Sequence, residues 1–147
     1  MILNMTPIVF CSDLAESYQR CELSTTDAKI LDENFRFAGQ GSLEYIRFHI
    51  ENFPSVGIRD KEGNLVAWEL TYLTGAMGML YVVEGHRGKG LAKFVICKLA
   101  QKHLQSGRRV FSSVDETNAL SLKLHQSCGF SILEEHSAYF AKLKNGD

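Results

Sequence analysis

The segment from Val82 to Ala92 constrains this chain more than any other. It carries an apolar run into the best-patterned helical stretch of the sequence through three glycines, Gly85, Gly88 and Gly90. Glycines at a strand-to-helix junction let successive backbone N–H groups turn toward one point. The helix N-terminus adds partial positive charge there, and Arg87 and Lys89 add two full charges, so a diphosphate is the natural guest. Spacing narrows the choice. A phosphate loop of the type G-x-x-x-x-G-K-S/T needs Lys and then Ser or Thr after Gly90, where Leu91 and Ala92 stand, so a nucleoside triphosphate is disfavoured. A dinucleotide fingerprint would need Gly in place of Lys93. The alternative without chemistry is a plain tight turn.

The stretch from Gly88 to Gln105 sets Leu91, Val95 and Leu99 on one stripe, flanked by Ala92, Ile96 and Ala100, and leaves Lys89, Lys93 and Lys102 for solvent. Gly107 sits where a helix ends in a left-handed residue. Upstream, Tyr18 to Leu23 is predicted as a short strand, and Ser24 with Asp27 forms a capping-box pattern that starts a helix. Leu43, Ile46, Ile50 and Phe53 mark a second helix, stopped before Pro54. The period then changes: Ser55 to Arg59, Leu65 to Leu73 and Met77 to Val83 predict three antiparallel strands. Past the long helix, Arg108 to Val114 reads as a strand, and Thr117 or Asp115 as the cap of a helix from about Asn118 to Ser127 that Gly129 ends. Phe130 to Leu133 and Ala138 to Ala141 are the last two strands. The order β-α-α-β-β-β-α-β-α-β-β predicts a mixed α/β sheet, with the long helix as a crossover between parallel strands.

Composition excludes several classes. At 147 residues, 45% hydrophobic and 22% charged, the chain matches one globular domain over residues 1–147. Lys and Arg number 16 against 17 Asp and Glu, so the basic excess of a nucleic-acid binder is missing. Charged residues or glycines interrupt every apolar run short of the ~18–20 residues a membrane helix needs. Cys11, Cys21, Cys97 and Cys128 have neither C-x-x-C spacing nor a histidine cluster, so no metal site is expected; four buried thiols in a reducing compartment are. The residues up to Cys11 carry no basic segment, and Asp13 and Glu16 oppose a transit peptide, so a cytoplasmic chain starting near Met1, or a piece of something longer, is expected.

Arg87, Gly88, Lys89, Gly90, Leu91 and Ala92 fall on the pattern Q/R-x-x-G-x-G/A, which resembles the acyl-CoA signature of the GNAT acyltransferase superfamily. Thr25 to Phe53, Trp68 to Leu70, Thr74 with Gly75, and Ser113 to Asp115 with Asn118 look most like the C-terminal catalytic domain of the glycine N-acyltransferases. The resemblance implies a largely antiparallel sheet with a central splay and helices on both faces. It also implies that the amides from Arg87 to Ala92 hold the pyrophosphate of acetyl-CoA or another acyl-CoA, and that the thioester arm lies beside the strand ending at Val82 and Val83. Asn118, Ser121 and His125 share one helix face and can look toward one ligand. In the superfamily this Asn often contacts the pantetheine arm. A tyrosine commonly stands where His125 does, before Gly129 and Phe130, and protonates the departing thiolate; an imidazole near pKa 6.5 can do that work, the alternative being a half-buried surface histidine. The acceptor implied is a small amine, such as glycine or another amino acid, on a monomer or homodimer with no nucleic-acid or membrane partner; related enzymes are mitochondrial.

One departure matters. The Glu that the resemblance assigns as general base falls at Ala76, so another group or a water relay substitutes, or amine acylation has been lost; Glu69, Tyr72 and Glu84 are the candidates, with a solvated strand-end charge as the alternative for Glu84. The competing expectation is an acyl-CoA or CoA binder without turnover. A third is a fragment whose missing half shapes the acceptor site, since the relatives it resembles have a further domain before this one. Cys128 and Trp68 read as packing, and the acceptor site is expected around Phe35, Phe37, Tyr72 and the final strands.

Overall fold

The computed structural model describes residues 1–5 and 13–133. Its elements are β1 (Ile2–Met5), β2 (Gln19–Cys21), α1 (Ala28–Glu33), α2 (Ser42–Asn52), β3 (Ser55–Arg59), β4 (Leu65–Thr71), β5 (Met77–Val82), α3 (Leu91–Gln105), β6 (Phe111–Ser113), α4 (Ala119–Ser127) and β7 (Phe130–Ile132). They build a seven-stranded sheet in the order β2-β3-β4-β5-β6-β1-β7. Every pairing is antiparallel except β5 with β6. That parallel pair is joined by α3, the crossover the sequence predicts.

Local chemistry accounts for most element ends. Asp27 Oδ2 accepts from the Ser24 amide at 2.9 Å, and a 3-10 turn over Thr25–Asp27 leads into α1. Phe53 closes α2 in extended conformation, as a residue before proline should. The β3–β4 hairpin turns on Asp60, whose Oδ1 accepts from the Glu62 and Asn64 amides at 3.0 and 2.9 Å.

All seven residues of β4 are buried, because helices cover both faces of the sheet. On one face Val95, Ile96 and Leu99 of α3 pack on Val56, Ile58, Val66 and Ala67. On the other, Leu31 of α1 and Ile46 and Ile50 of α2 pack on Leu65, Trp68 and Leu70. Polar ties reinforce both contacts. Thr71 Oγ1 and His103 Nε2 lie 2.8 Å apart between β4 and α3, and both residues are fully buried. Arg59 Nη2 donates to both oxygens of the nearly buried Asp27 at 2.9 Å, fixing the start of α1 on β3.

Several expectations are corrected. Ile2–Met5, which the periodicity leaves without a strand, is β1 and occupies the slot between β6 and β7. Lys102 is not a solvent lysine: its Nζ donates to the Ser55 carbonyl at 2.7 Å and pairs with Glu22 at 3.0 Å. The cap of α4 is neither Asp115 nor Thr117 but Asn118, whose Oδ1 accepts from the Ser121 amide at 3.0 Å. Cys97 and Cys128 are buried, whereas Cys21 is half-buried. Cys11 and the strand expected at Ala138 to Ala141 lie outside the described residues.

The Asp27–Arg59 contact is the most exposed to mutation. Arg59→Ala removes both charge-assisted bonds from a carboxylate that stays buried, and is expected to lower stability by about 1–3 kcal/mol. Urea unfolding checks this; Arg59→Lys should recover only part, since an ammonium cannot reproduce the guanidinium's paired donors.

Candidate active site

The parallel strands β5 and β6 pair at a single point, Met77 with Ser112. Beyond it they diverge, and a cavity of about 340 Å³ fills the gap. Its wall draws on both faces of the sheet: Trp68, Glu69 and Tyr72 of β4 and its end, Gly78 to Tyr81 of β5, Ser112 to Val114, the loop from Asn34 to Phe37, and Ser121 with His125 of α4. Phe35, Phe37 and Tyr72, the residues expected around an acceptor, therefore border one cavity.

β5 is irregular where it borders that gap. Its pairing with β4 shifts register between Trp68 and Leu70, and Met79 adopts a φ of 58°, an uncommon conformation for a side chain of this kind. The Val83 amide donates to Val66 at 2.8 Å, toward β4. Strand alternation then turns the polar groups of Val82 toward the opening. There the Val82 carbonyl accepts from Arg87 Nε at 2.9 Å.

The glycine loop stands at one end of this opening. Gly88 and Gly90 have φ of 76° and 79°, which only glycine adopts without strain, and Gly90 is the N-cap of α3. A Cβ built at either would meet nothing within 4 Å, so the space above the loop is open to a ligand. The first amides of α3 have no partner within the helix and face that space. Lys89 and Lys93 are exposed beside it. The Arg87 guanidinium lies 5.4 Å over the Tyr81 ring, which stacks at 5.1 Å on Trp68. From the other side, the Tyr18 hydroxyl and His86 Nδ1 meet at 2.9 Å and pin the loop to the segment before β2.

Three polar groups at the cavity are unusual. Glu69 is fully buried, and neither carboxyl oxygen has a hydrogen-bond partner. Burial, with the Cys97 thiol adding to it, pushes its pKa well above the ordinary carboxylate value. His125 is 3% exposed; its Nδ1 lies 2.8 Å from the Ser121 carbonyl, and its buried Nε2 has no partner. Burial lowers its pKa against the opposing pull of that carbonyl. The Tyr72 phenol is pushed up to about 12, chiefly by burial, and its ring lies over Gly78, where a Cβ would fall 2.1 Å from it.

The predicted residues thus divide. Glu69, Tyr72, Ser121 and His125 come together at the cavity, while Val82, Val83 and Arg87 to Ala92 form the loop and strand end beside it. Asn118 is exposed and does not border the cavity, and its Oδ1 is engaged in capping. Glu84 is exposed in the turn, also away from the cavity. Ala76 is buried, and its carbonyl accepts from the Tyr72 amide at 2.9 Å. Sequence reasoning missed Leu31, Arg36 and Met79 on the cavity wall, and Tyr18 as the partner of His86, 68 residues away. No local pattern marks such a pairing. Among the described residues no group of His, Cys, Asp and Glu could hold a metal ion, and no helix is long and apolar enough to cross a membrane.

Glu69 should leave a signature in stability. Its folded-state pKa exceeds the ~4.3 of an unfolded chain, so its carboxyl contributes fully only below that pH and disfavours the fold as pH climbs toward the folded value. Glu69→Gln is expected to lack this loss, so its stability should gain on the wild type as pH rises from about 5 to 8. Urea unfolding at several pH values measures it, and parallel curves would contradict the buried, unpartnered carboxyl.

Comparison with known proteins bears on this geometry. Residues 55–139 match the FR47-like protein family. The chain is 31% identical over 113 residues to glycine N-acyltransferase of Bos taurus, covering 76% of this chain and 38% of that enzyme. It therefore spans well under half the length of the curated relatives it matches. A GCN5-related N-acetyltransferase from Sphaerobacter thermophilus superposes with a TM-score of 0.71 at 17% identity, over 90% of this chain and 47% of that one. AAC(6')-Iy, solved with the bisubstrate analogue CoA-S-monomethyl-acetylneamine, superposes with a TM-score of 0.64 at 16% identity, over 78% of this chain and 91% of that one. The mixed sheet with its parted β5 and β6 is the GNAT fold, and the chain belongs to the FR47-like family within it.

Proposed function

We propose that this chain is an acyl-CoA-dependent N-acyltransferase, moving an acyl group to a small amine by direct attack on the thioester. The observation that carries the reading is the continuity of three features: an amide-rich cationic loop, a parted strand pair, and a cavity bordered by residues with unpartnered acid–base groups. The loop amides from Arg87 to Ala92, with Arg87 and Lys89, suit the CoA diphosphate. The outward-facing groups of β5 around Val82 suit the amides of an extended pantetheine arm, which would run into the gap and bring the thioester to the cavity. Arg87 leaves Val82 in that process. Ser121 borders the same cavity, and Asn118, one turn before it at the N-cap of α4, is exposed. The acceptor enters on the side of Phe35, Arg36 and Phe37. Holding amine and thioester in one apolar cavity supplies the orientation on which this chemistry depends.

The relatives named for glycine acylation support an amino acid or a similarly small amine as acceptor, and acetyl-CoA or a larger acyl-CoA as donor. A second reading, binding without turnover, is favoured by the methyl of Ala76 where the resemblance places a carboxylate base. Glu69 answers it as a carboxyl residue of the neighbouring strand that borders the same cavity.

Calorimetric titration with acetyl-CoA, beside an Arg87→Glu variant, tests the cofactor site. Wild-type binding is expected, weakened about tenfold or more in the variant, equivalent to ~1.4 kcal/mol or more. A thiol-release assay over a panel of amines then separates the readings: release supports transfer, while binding with no release for any amine supports the non-catalytic one.

A further inference from the structure

We propose that the two buried, unpartnered groups at the cavity divide the proton work in the sense opposite to the family resemblance: Nε2 of His125 takes the proton from the attacking amine, and the Glu69 carboxyl gives one to the departing CoA thiolate. This rests on the acyl-transfer reading above.

The tautomer of His125 follows from its hydrogen bond. A backbone carbonyl only accepts, so the 2.8 Å contact with the Ser121 carbonyl puts the proton on Nδ1. Nε2 is then a bare lone pair, buried, without a partner, on a residue that borders the cavity. Such a ring cannot protonate a thiolate; it can accept a proton. Glu69 is the converse case. A carboxylate at a fully buried position with no donor would lack every means of stabilisation, whereas a neutral carboxyl forgoes only its hydrogen bonds. At rest it holds a proton and lacks an acceptor for it. Burial shifts the two pKa values in opposite directions, each toward the neutral form, so at one cavity a protonated carboxyl stands as donor and a bare ring nitrogen as acceptor. Among the described residues, the other titratable or charged groups around them are Cys97 on α3, Cys128 at the end of α4, Tyr72 just past β4, Tyr81 on β5 and Arg36 at the cavity wall.

The step balances. A neutral amine attacks the thioester carbonyl and the C–N bond forms. Its surplus proton passes to His125 Nε2. The C–S bond breaks, and the thiolate takes the Glu69 proton to leave as free CoA thiol. The resulting imidazolium and carboxylate share the cavity as an ion pair, and proton return from His125 to Glu69, directly or through a water, restores the resting state. Nothing beyond amine and acyl-CoA is consumed.

Two measurements test the assignment. Long-range 1H–15N spectra of the wild-type protein at pH 7, with His125 identified by its loss in His125→Gln, are expected to show a neutral Nδ1–H ring; a doubly protonated or Nε2–H ring overturns the proposal without any assay of turnover. The second is the pH dependence of kcat at saturating amine, which reports the bound complex. The wild type should give a bell. Glu69→Gln should lose the alkaline limb and His125→Gln the acidic limb, each with kcat lower by about 10²-fold or more. A residual His125→Gln rate that rises with pH would make Glu69 the base and overturn the proposal. Turnover with both limbs unchanged in both variants overturns the division of labour but leaves the acyl-transfer reading standing. Acetyl-CoA binding with no thiol release from the wild type for any amine brings both down.

Discussion

The contact between Met77 and Ser112 governs this molecule more than any other, because it is where β5 and β6 stop being neighbours. Parallel strands need a crossover, and α3 supplies it by packing Val95 and Leu99 on the sheet and fixing Thr71 through His103. Once α3 is seated, its N-terminus stands beside the end of β5 and its far end leads the chain to β6. The parted strands then present unpaired backbone on one edge of β5, next to the helix end that attracts anions. The glycine loop, the gap and the cavity follow from one geometrical event. That is also why side chains from opposite faces of the sheet, Trp68 from one and Glu69 from the other, border a common space.

The same gap explains a stability cost concentrated in a few atoms. Trp68 Nε1, both oxygens of Glu69 and Nε2 of His125 are buried without partners, and all three residues border the cavity. Each such group disfavours the fold by about 1–3 kcal/mol relative to a satisfied one. Elsewhere the buried polar residues are tied: Thr71 to His103, Asp27 to Arg59, Ser112 Oγ to the Met77 carbonyl at 3.0 Å. Among the described residues the unsatisfied buried side-chain groups thus cluster at one cavity.

Much of this was legible in the sequence, for physical reasons. The strand-to-helix junction at Gly88 and Gly90 reads correctly because left-handed backbone admits few residues but glycine, and the stripe of Leu91, Val95 and Leu99 because burial imposes the helical period. β1 was not legible: four residues carry no period worth reading, and their strand character comes from partners more than a hundred residues away. Lys102 misled because side-chain type suggests solvent, whereas its length lets it reach the Ser55 carbonyl. Asn118 sits on the expected helix face, but as the first residue of that face its carbonyl oxygen is drawn into capping. Glu69 was visible as a candidate; its isolation was not, since burial on both faces of β4 is a property of the assembled sheet.

The placement of β1 bears on how the molecule comes together. Ile2–Met5 lies between β6 and β7, and Ser131 Oγ reaches the Asn4 carbonyl across 127 positions of chain. Contacts that distant in sequence form only after their loop entropy has been met, so the hairpin of β3 and β4 and the packing of α3 can precede them. The half of the sheet that supports α4 is the one held by these distant pairings. His125 is carried on that half, and Glu69 on the other. The cavity between them thus lies where the part of the sheet built on local hairpin contacts meets the part closed by pairings more than a hundred residues apart in sequence.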